Sequence, residues 1–438
     1  MPTFVGMTTD RVKMIDINII RSNSEMVKKN AANKGFAPDI DTILKADEKL
    51  RALKTETENL IAKKNELSRQ IPTSADKAAL VAESKKIGEQ AEGLQSKLSE
   101  LESNLNDLLL SVPQIASEDS PIGKDDSENI ETKRNGKIRE FDFAPRAQYE
   151  ILDLNKWWAA EKISQICGPR TYCLMGEAAE LELAVQTFVI QKLISKGFVF
   201  ANVPAIVKRQ AIFDAGHFPG SDTSIMDNDV FALNVPDKFL AGTAEIVLNS
   251  LHAGEILTEN QLPIKYAGYS PCFRKEAGAA GKDTRGLIRV HQFHKVEQFI
   301  YCAPEEADAM HAYLREILEE VMLDFEIPYR VLSVCTGDMG FNKVRQDDIE
   351  AWIPSEQKYR ELGSCSTIGE FQARRTNTRY RENATGKVRF CATLNNTGIA
   401  LPRALVAILE NHQNADGSVA VPNKLQPLMG GRKVIGKK

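Results

Sequence analysis

Residues Pro271 to Phe299 read PCFRKEAGAAGKDTRGLIRVHQFHKVEQF, the densest polar constellation in the chain. Two strand-like arms flank a loop. Arg274 and Glu276 lie two apart on the first arm, so in an extended strand they point to one face, and Phe293 and Glu297 share a face of the second. Gly278, Gly281 and Gly286 keep the loop pliable, while Lys282 and Arg285 supply positive charge. An arginine fork beside a carboxylate suits a ligand that bears both phosphate and amine. A solvated β-hairpin with cross-strand ion pairs is the alternative that the same pattern allows. Neither the GxxxxGK[ST] loop nor a strand-borne GxGxxG occurs, so a bound nucleotide would be held by another device, of which arginine forks on an antiparallel sheet are one.

The flanking sequence supports such a sheet. Glu180 to Lys196 has helical periodicity and stops at Gly197, and FVFANVPAIV after it is β-rich. Farther on, short β-like runs (LIRVHQF, KVEQFIY, KVRFCATL) mix with longer helices such as EEADAMHAYLREILEEVMLDF. The βαβα rhythm of a parallel sheet is missing, which predicts an α+β fold: an antiparallel β-sheet core flanked by helices.

The N-terminal part follows another rule. Ile43 and Leu50 are seven apart, with Ala46, Leu53, Leu60 and Leu67 offset by three. After Pro72, Thr73 and Ser74 break the helix, Leu80, Ile87, Leu94, Leu101 and Leu108 repeat the interval, with Ala91, Leu98, Leu105 and Val112 between them. These are a/d seams of two helices, each roughly 40 to 55 Å long, joined by so short a turn that they must be antiparallel. Lys45, Lys49, Lys54, Lys63, Lys64 and Arg69 form either a solvated face or one that tracks phosphates, and the hairpin by itself is equally a dimerisation coiled coil. Pro113 closes it. The polar stretch SEDSPIGKDDSENIETKRNGK reads as a linker that sets a boundary near Val112 to Lys137, which predicts an N-terminal domain over residues 1–113 and a second domain over 114–438.

Composition narrows the class. With 438 residues, 42% of them hydrophobic, the chain is globular, and its formal charge of -4 argues against a protein coated with positive charge. Any RNA contact must be local. Seven cysteines without a CxxC pair suggest a reducing cytoplasm rather than a disulfide framework, and six dispersed histidines give no zinc spacing. No apolar run approaches the ~20 residues of a membrane helix. The opening MPTFVGMTTDRVK lacks the apolar core of a secretory signal and reads as an extension upstream of Met14.

FRKEAGAAGKDTRGLIRVHQFHKVEQF resembles the second signature motif of class II aminoacyl-tRNA synthetases, specifically the seryl enzymes. NNTGIALPRALVAILENHQNADGSVAVP, from Asn395, resembles the third motif, and Glu180 to Pro204 the first, which forms the dimer interface in that family. FLAGTAEI, CTGDMGF and YRELGSCSTIGEFQARR also resemble seryl enzymes, in the family's order, so that the resemblance runs from Met14 over nearly the whole chain.

The resemblance implies a role for each matching residue. Arg274 would meet the ATP α-phosphate and the serine carboxylate, with Lys275 beside it and Glu276 near the adenine amine. Phe293 would stack on adenine and Arg403 would hold the γ-phosphate. Glu361 and Ser364, within the stretch Glu361, Leu362, Gly363 and Ser364 that borders ATP, would anchor Mg²⁺. Thr243, Ala244 and Glu245 would line the serine pocket on one side, completed by Arg274, Glu297 and Thr397. Carboxylates suit the ammonium group, and a pocket built to bond a hydroxyl rejects alanine by leaving its own groups unpaired. The implied reaction is attack of the serine carboxylate on the α-phosphorus, then transfer of the seryl group to the 3′ end of tRNA(Ser), and of tRNA(Sec) where it exists. No side-chain nucleophile is required, and His291 and His294 read as structural or solvent-facing.

Three positions depart from the family's usual residues. Asn396 and Pro402 stand where many members have Gly, and Ala392 where His is frequent; Asn tolerates left-handed backbone and proline suits a first helical turn. One rival is a ligase that loads an amino acid onto a non-tRNA acceptor, against which the hairpin argues. Another is a non-catalytic relative, which should have lost Arg274, Glu297, Glu361 or Arg403. The resemblance also implies a homodimer in the cytoplasm.

Overall fold

The structure is a computed structural model that describes residues 15–74, 76–217, 229–276, 283 and 285–437. Met14, Gly278, Gly281 and Lys282 lie outside the described residues. The chain divides into two compact units, with the boundary between Pro113 and Gln114.

In the first unit, α1 (Ile40–Gln70) and α2 (Lys77–Leu109) are N-capped by Asp39, which accepts from Thr42 N at 2.9 Å, and by Asp76, which accepts from Ala79 N at 3.1 Å. Lys54 pairs with Glu102 at 2.7 Å and Lys63 with Glu83 at 3.0 Å, so partners fall in number as the first helix climbs: the helices are antiparallel. Those two lysines therefore brace the hairpin instead of standing free on its face. The seam is wetter than its leucines suggest. Thr57, seven after Leu50, is buried and donates to Leu53 O at 2.8 Å, and Ser84 is buried on the opposite helix.

The second unit is built on an eight-stranded sheet. Its strands are β1 (Ile130–Asn135), β2 (Val199–Asn202), β3 (Ile264–Phe273), β4 (Gln292–Cys302), β5 (Tyr329–Ser333), β6 (Arg345–Ile353), β7 (Lys358–Gly369) and β8 (Ala392–Ala400). In spatial order they run β1-β5-β6-β7-β8-β4-β3-β2. Every neighbouring pair is antiparallel except β2 with β3, the one parallel pair of the sheet. The fold is thus α+β, as expected, with one departure at the edge. The polar stretch from Ser117 to Lys137 is not a plain linker: Ile130–Asn135 pairs with Tyr329–Ser333 as an edge strand. All six of its residues are exposed, so no apolar alternation betrays it.

Alternation along β4 sorts the two faces. Val296, Ile300 and Cys302 join the main apolar core with helices α3 (Gly176–Ser195), α6 (Ala307–Asp324) and α8 (Leu401–Asn411), through residues such as Leu181, Leu314 and Leu405. Lys295, Glu297, Phe299 and Tyr301 take the opposite face, where Phe299 and Tyr301 pack in a second cluster with Ala244 and Leu248. The site opens on that face. Of three shorter helices, α5 (Glu245–Leu248) lends Glu245 to it, while α4 (Arg209–Ala215) and α7 (Phe371–Thr376) line no part of it.

Candidate active site

A cavity of about 620 Å³ lies over β4, β7 and β8, walled almost wholly by polar side chains. Glu245 and Glu297 are its most enclosed acids, 5% and 2% exposed. Glu297 accepts from Thr243 Oγ1 at 3.1 Å and is ion-paired to Lys295, two residues back on the same strand face. Burial pushes the Glu297 carboxyl up, and Lys295 opposes that push. Thr397 faces Glu297 across the β8–β4 register.

The cavity's other end is cationic. Arg274, just beyond β3, donates to Gly242 O at 3.3 Å, with its guanidinium 5.4 Å from the Phe293 ring centroid. Arg403, in the first turn of α8, donates to Glu361 O at 2.9 Å and lies 3.3 Å from the Glu361 carboxylate. Desolvation works against the Glu361 charge although its side chain is 47% exposed, yet Arg403, Arg274 and Lys343 hold its carboxyl below the usual range. Its neighbour Asp348, set opposite Ser364 in the β7–β6 register, behaves the other way: burial first, then the Glu361 charge, push it up to about 7. A smaller cavity of about 60 Å³ adjoins, lined by Glu276, Phe293, Leu362, Pro402 and Arg403 among others. Arg274, Lys295, Glu361 and Thr397 line both spaces, so one set of side chains spans the small slot and the larger polar basin.

Two domain families match this chain: the seryl-tRNA synthetase N-terminal domain over residues 14–116, and the class II tRNA synthetase core domain (G, H, P, S and T) over residues 233–412. Over 428 residues it is 44% identical to the serine–tRNA ligase of Deinococcus radiodurans, covering 97% of this chain and 99% of that one. The chain belongs to the serine–tRNA ligase family. Solved members of the family are similar to it. Seryl-tRNA synthetase from Pyrococcus horikoshii, complexed with ATP, superposes with a TM-score of 0.90 at 35% identity, covering 97% of this chain and all of that one. The cytoplasmic serine–tRNA ligase from Naegleria fowleri, in complex with AMP, gives 0.87 at 30% identity, with coverage of 98% and 100%.

Among the family positions read from sequence, Thr243, Glu245, Arg274, Glu297, Glu361, Ser364, Thr397 and Arg403 line the larger cavity, and Glu276, Phe293 and Leu362 the smaller. Three do not reach either. Ala244 is buried in the apolar cluster with Leu248 and Phe299, so its methyl belongs to the core. Lys275 turns away, its ammonium 6.0 Å from the Phe231 ring centroid. Gly363 borders no cavity; a Cβ there would meet Leu318 Cδ2 at 2.7 Å and Thr397 Cβ at 2.9 Å, so glycine is what lets β8 and α6 close on β7.

The strand geometry assumed for Arg274 and Glu276 also needs correcting. Strand β3 ends at Phe273, and Glu276 has φ +54°, so the two are placed by a turn instead of a shared strand face. Glu276 accepts from Arg289 at 2.6 Å. His291 and His294 line neither cavity: the first hydrogen-bonds Arg274 O at 3.0 Å through Nδ1 and the second stacks on Tyr269. Asn396 needs no left-handed backbone, because it sits within β8 and donates to Leu314 O at 2.7 Å. Pro402 does occupy the first turn of α8. Sequence reasoning missed Lys295, Asp348, Asn395 and Lys343, all on the cavity wall. Alternation from Glu297 could have found Lys295; Asp348 is brought in by strand pairing alone.

Proposed function

We propose that this chain activates L-serine with ATP, forming seryl adenylate and pyrophosphate, and passes the seryl group to the 3′ end of tRNA(Ser). The observation that carries this reading is the pair of buried carboxylates, Glu245 and Glu297, in one cavity with Arg274 and Arg403. Glu297 and Glu245 would take the serine ammonium and hydroxyl, with Thr243 and Thr397 as hydrogen-bonding neighbours. Arg274 would hold the serine carboxylate against the α-phosphate, where its charge favours the crowded anionic transition state. The carboxylate oxygen attacks the α-phosphorus and pyrophosphate departs beside Arg403. Phe293 would stack on adenine, in the slot whose face the Arg274 guanidinium overlies.

Magnesium would fit beside Glu361 and Ser364, whose oxygens stand among the cations of the cavity wall. Ser364 Oγ is buried without a well-formed hydrogen bond, and Glu361 offers a carboxylate whose charge the neighbouring arginines preserve. Among the described residues no group of three or more His, Cys, Asp or Glu is arranged to hold a metal, so phosphates and water would complete the shell. Bound there, the ion would neutralise polyphosphate charge.

The hairpin would contact tRNA through Lys45, Lys49, Lys64 and Arg69, since Lys54 and Lys63 are engaged across the helices. A homodimer would form through the first-motif region, where Leu183, Val199 and Phe200 are 61%, 59% and 41% exposed. A monomeric mass in solution would count against it. A cytoplasmic location suits seven unpaired cysteines, and no helix among the described residues is long and apolar enough to cross a membrane. Charging of tRNA(Sec) belongs to the same reading wherever that tRNA exists.

The test is transfer of labelled serine to unfractionated tRNA with ATP and magnesium, by the full chain and by a form starting at Gln114. Charging by the full chain and little by the shortened form is the expected result. Serine-dependent pyrophosphate exchange without any tRNA charging would transfer the activity to another acceptor, and absence of both would end the proposal.

A further inference from the structure

Glu245 is held from behind. Its Oε1 accepts a 2.7 Å hydrogen bond from Nε2 of Gln372, a residue of α7 that is wholly buried and borders neither cavity. The orientation of that amide is forced by its surroundings. Nε2 faces two groups that can only accept, Ala215 O at 3.0 Å and the Glu245 carboxylate, so both of its hydrogens are used. On the other side, Oε1 accepts from Thr393 Oγ1 at 2.7 Å. Flipping the amide would set its oxygen against a carbonyl and a carboxylate.

Each of these contacts comes from a different element: Ala215 from the end of α4, Thr393 from β8, Glu245 from the start of α5. The helix that carries Gln372 is itself fixed, because Arg375 lies between the rings of Phe213 and Phe371, 4.5 and 4.7 Å from their centroids. A neutral donor is what the position requires. A cation there would compensate Glu245 and weaken its pull on an ammonium ion, while an apolar side chain would leave a buried carboxylate oxygen without a partner. The second oxygen, Oε2, stays on the side of His217, whose Nε2 is 3.6 Å away.

We infer that Gln372 is a positioning residue for amino-acid recognition: with Thr393 it locks the Glu245 carboxylate in one rotamer, leaving Oε2 for the ligand's ammonium and hydroxyl. This rests on the reading of Glu245 as a wall of the serine pocket. The residue acts through Glu245 and touches no substrate, so its removal should appear in serine KM and leave ATP KM alone.

The experiment is serine-dependent pyrophosphate exchange with the full chain carrying Gln372→Leu, Gln372→Glu, Thr393→Val or Glu245→Gln, each with its melting temperature. Loss of one hydrogen bond to a charged group corresponds to about tenfold or more in serine KM for Gln372→Leu, with ATP KM unchanged. Gln372→Glu, which opposes two carboxylates, should raise serine KM further, and Thr393→Val should raise it less. If Gln372→Leu does not fold, Thr393→Val decides. Serine KM unchanged in folded Gln372→Leu and Thr393→Val, or serine and ATP KM rising together, would overturn the inference. If Glu245→Gln raises serine KM while those two do not, the pocket reading stands and the role of Gln372 falls. If Glu245→Gln has no effect on serine KM, both are lost.

Discussion

Glu361 and Ser364 are three residues apart in one strand and yet face one cavity, because the β7–β6 register slips by one residue between Glu361 and Gly363. A regular strand would send them to opposite faces. Leu362, next to Glu361, points the other way into the core, where it is 2% exposed, and the slip returns Ser364 to the cavity face. Ser364→Ala and Glu361→Gln should each raise the magnesium concentration needed for half-maximal pyrophosphate exchange, by roughly tenfold or more. Chelation with EDTA should abolish exchange by the unaltered protein. A magnesium titration on the three proteins checks this, and superimposable curves would remove both residues from the metal site.

Glu297 and Lys295 make the second prediction. Glu297→Ala should abolish serine activation, and because it strands a buried ammonium it should also cost about 3–5 kcal/mol of stability. Adding Lys295→Met should recover the melting temperature without recovering exchange. Normal exchange by Glu297→Ala would refute the assignment of this carboxylate to serine.

Phe293 offers its ring to the smaller cavity. Stacking of a base on an aromatic side chain is worth about 1–3 kcal/mol, so Phe293→Ala should raise ATP KM by roughly ten- to hundredfold and leave serine KM near its original value. Initial rates across an ATP series, at fixed high serine, measure it. A change confined to serine KM would place adenine elsewhere.

Stability should depend on pH through His311. The ring contacts Thr367 Oγ1 at 2.9 Å and the Asp347 carboxylate at 3.2 Å. Burial alone would lower its pKa, but the Cys365 sulfur and Asp347 outweigh that and push it up to about 10 from an ordinary 6.5. A histidine raised on folding stabilises fully below its unfolded value and loses that contribution as pH rises through the folded one. His311→Gln should therefore lower the melting temperature at pH 6 and pH 7, with the difference shrinking towards pH 10. A difference that is constant across that range would show that the ring is neutral throughout.

The heptads of the hairpin, the antiparallel character of the sheet and most of the side chains that line the cavities were legible because they rest on local rules. A seven-residue apolar repeat marks helices packed along a shared seam, and the motif residues lie in short contiguous stretches of sequence. Legibility failed where a residue's neighbours come from distant segments. Ile130–Asn135 carries no strand pattern because it is an exposed edge, and its partner strand lies some 200 residues away in the chain. Lys275 adjoins Arg274 and shares its charge, but the turn after Phe273 sends the two side chains to different places.

The sequence alone determined that the protein has an antiparallel pair of helices, an antiparallel sheet and the residues Arg274, Glu297, Glu361 and Arg403 in motifs that resemble those of the family. Tertiary structure decided which partners each carboxylate meets and in which direction its pKa moves. Glu361 is kept ionised by arginines from other segments, Asp348 is pushed towards neutrality by burial and by Glu361, and Glu245 is aimed by Gln372 from 127 residues away. The reason is physical: helix and strand periodicity are properties of neighbouring residues, whereas burial, pairing and pKa are set by whatever the folded chain brings within a few ångströms.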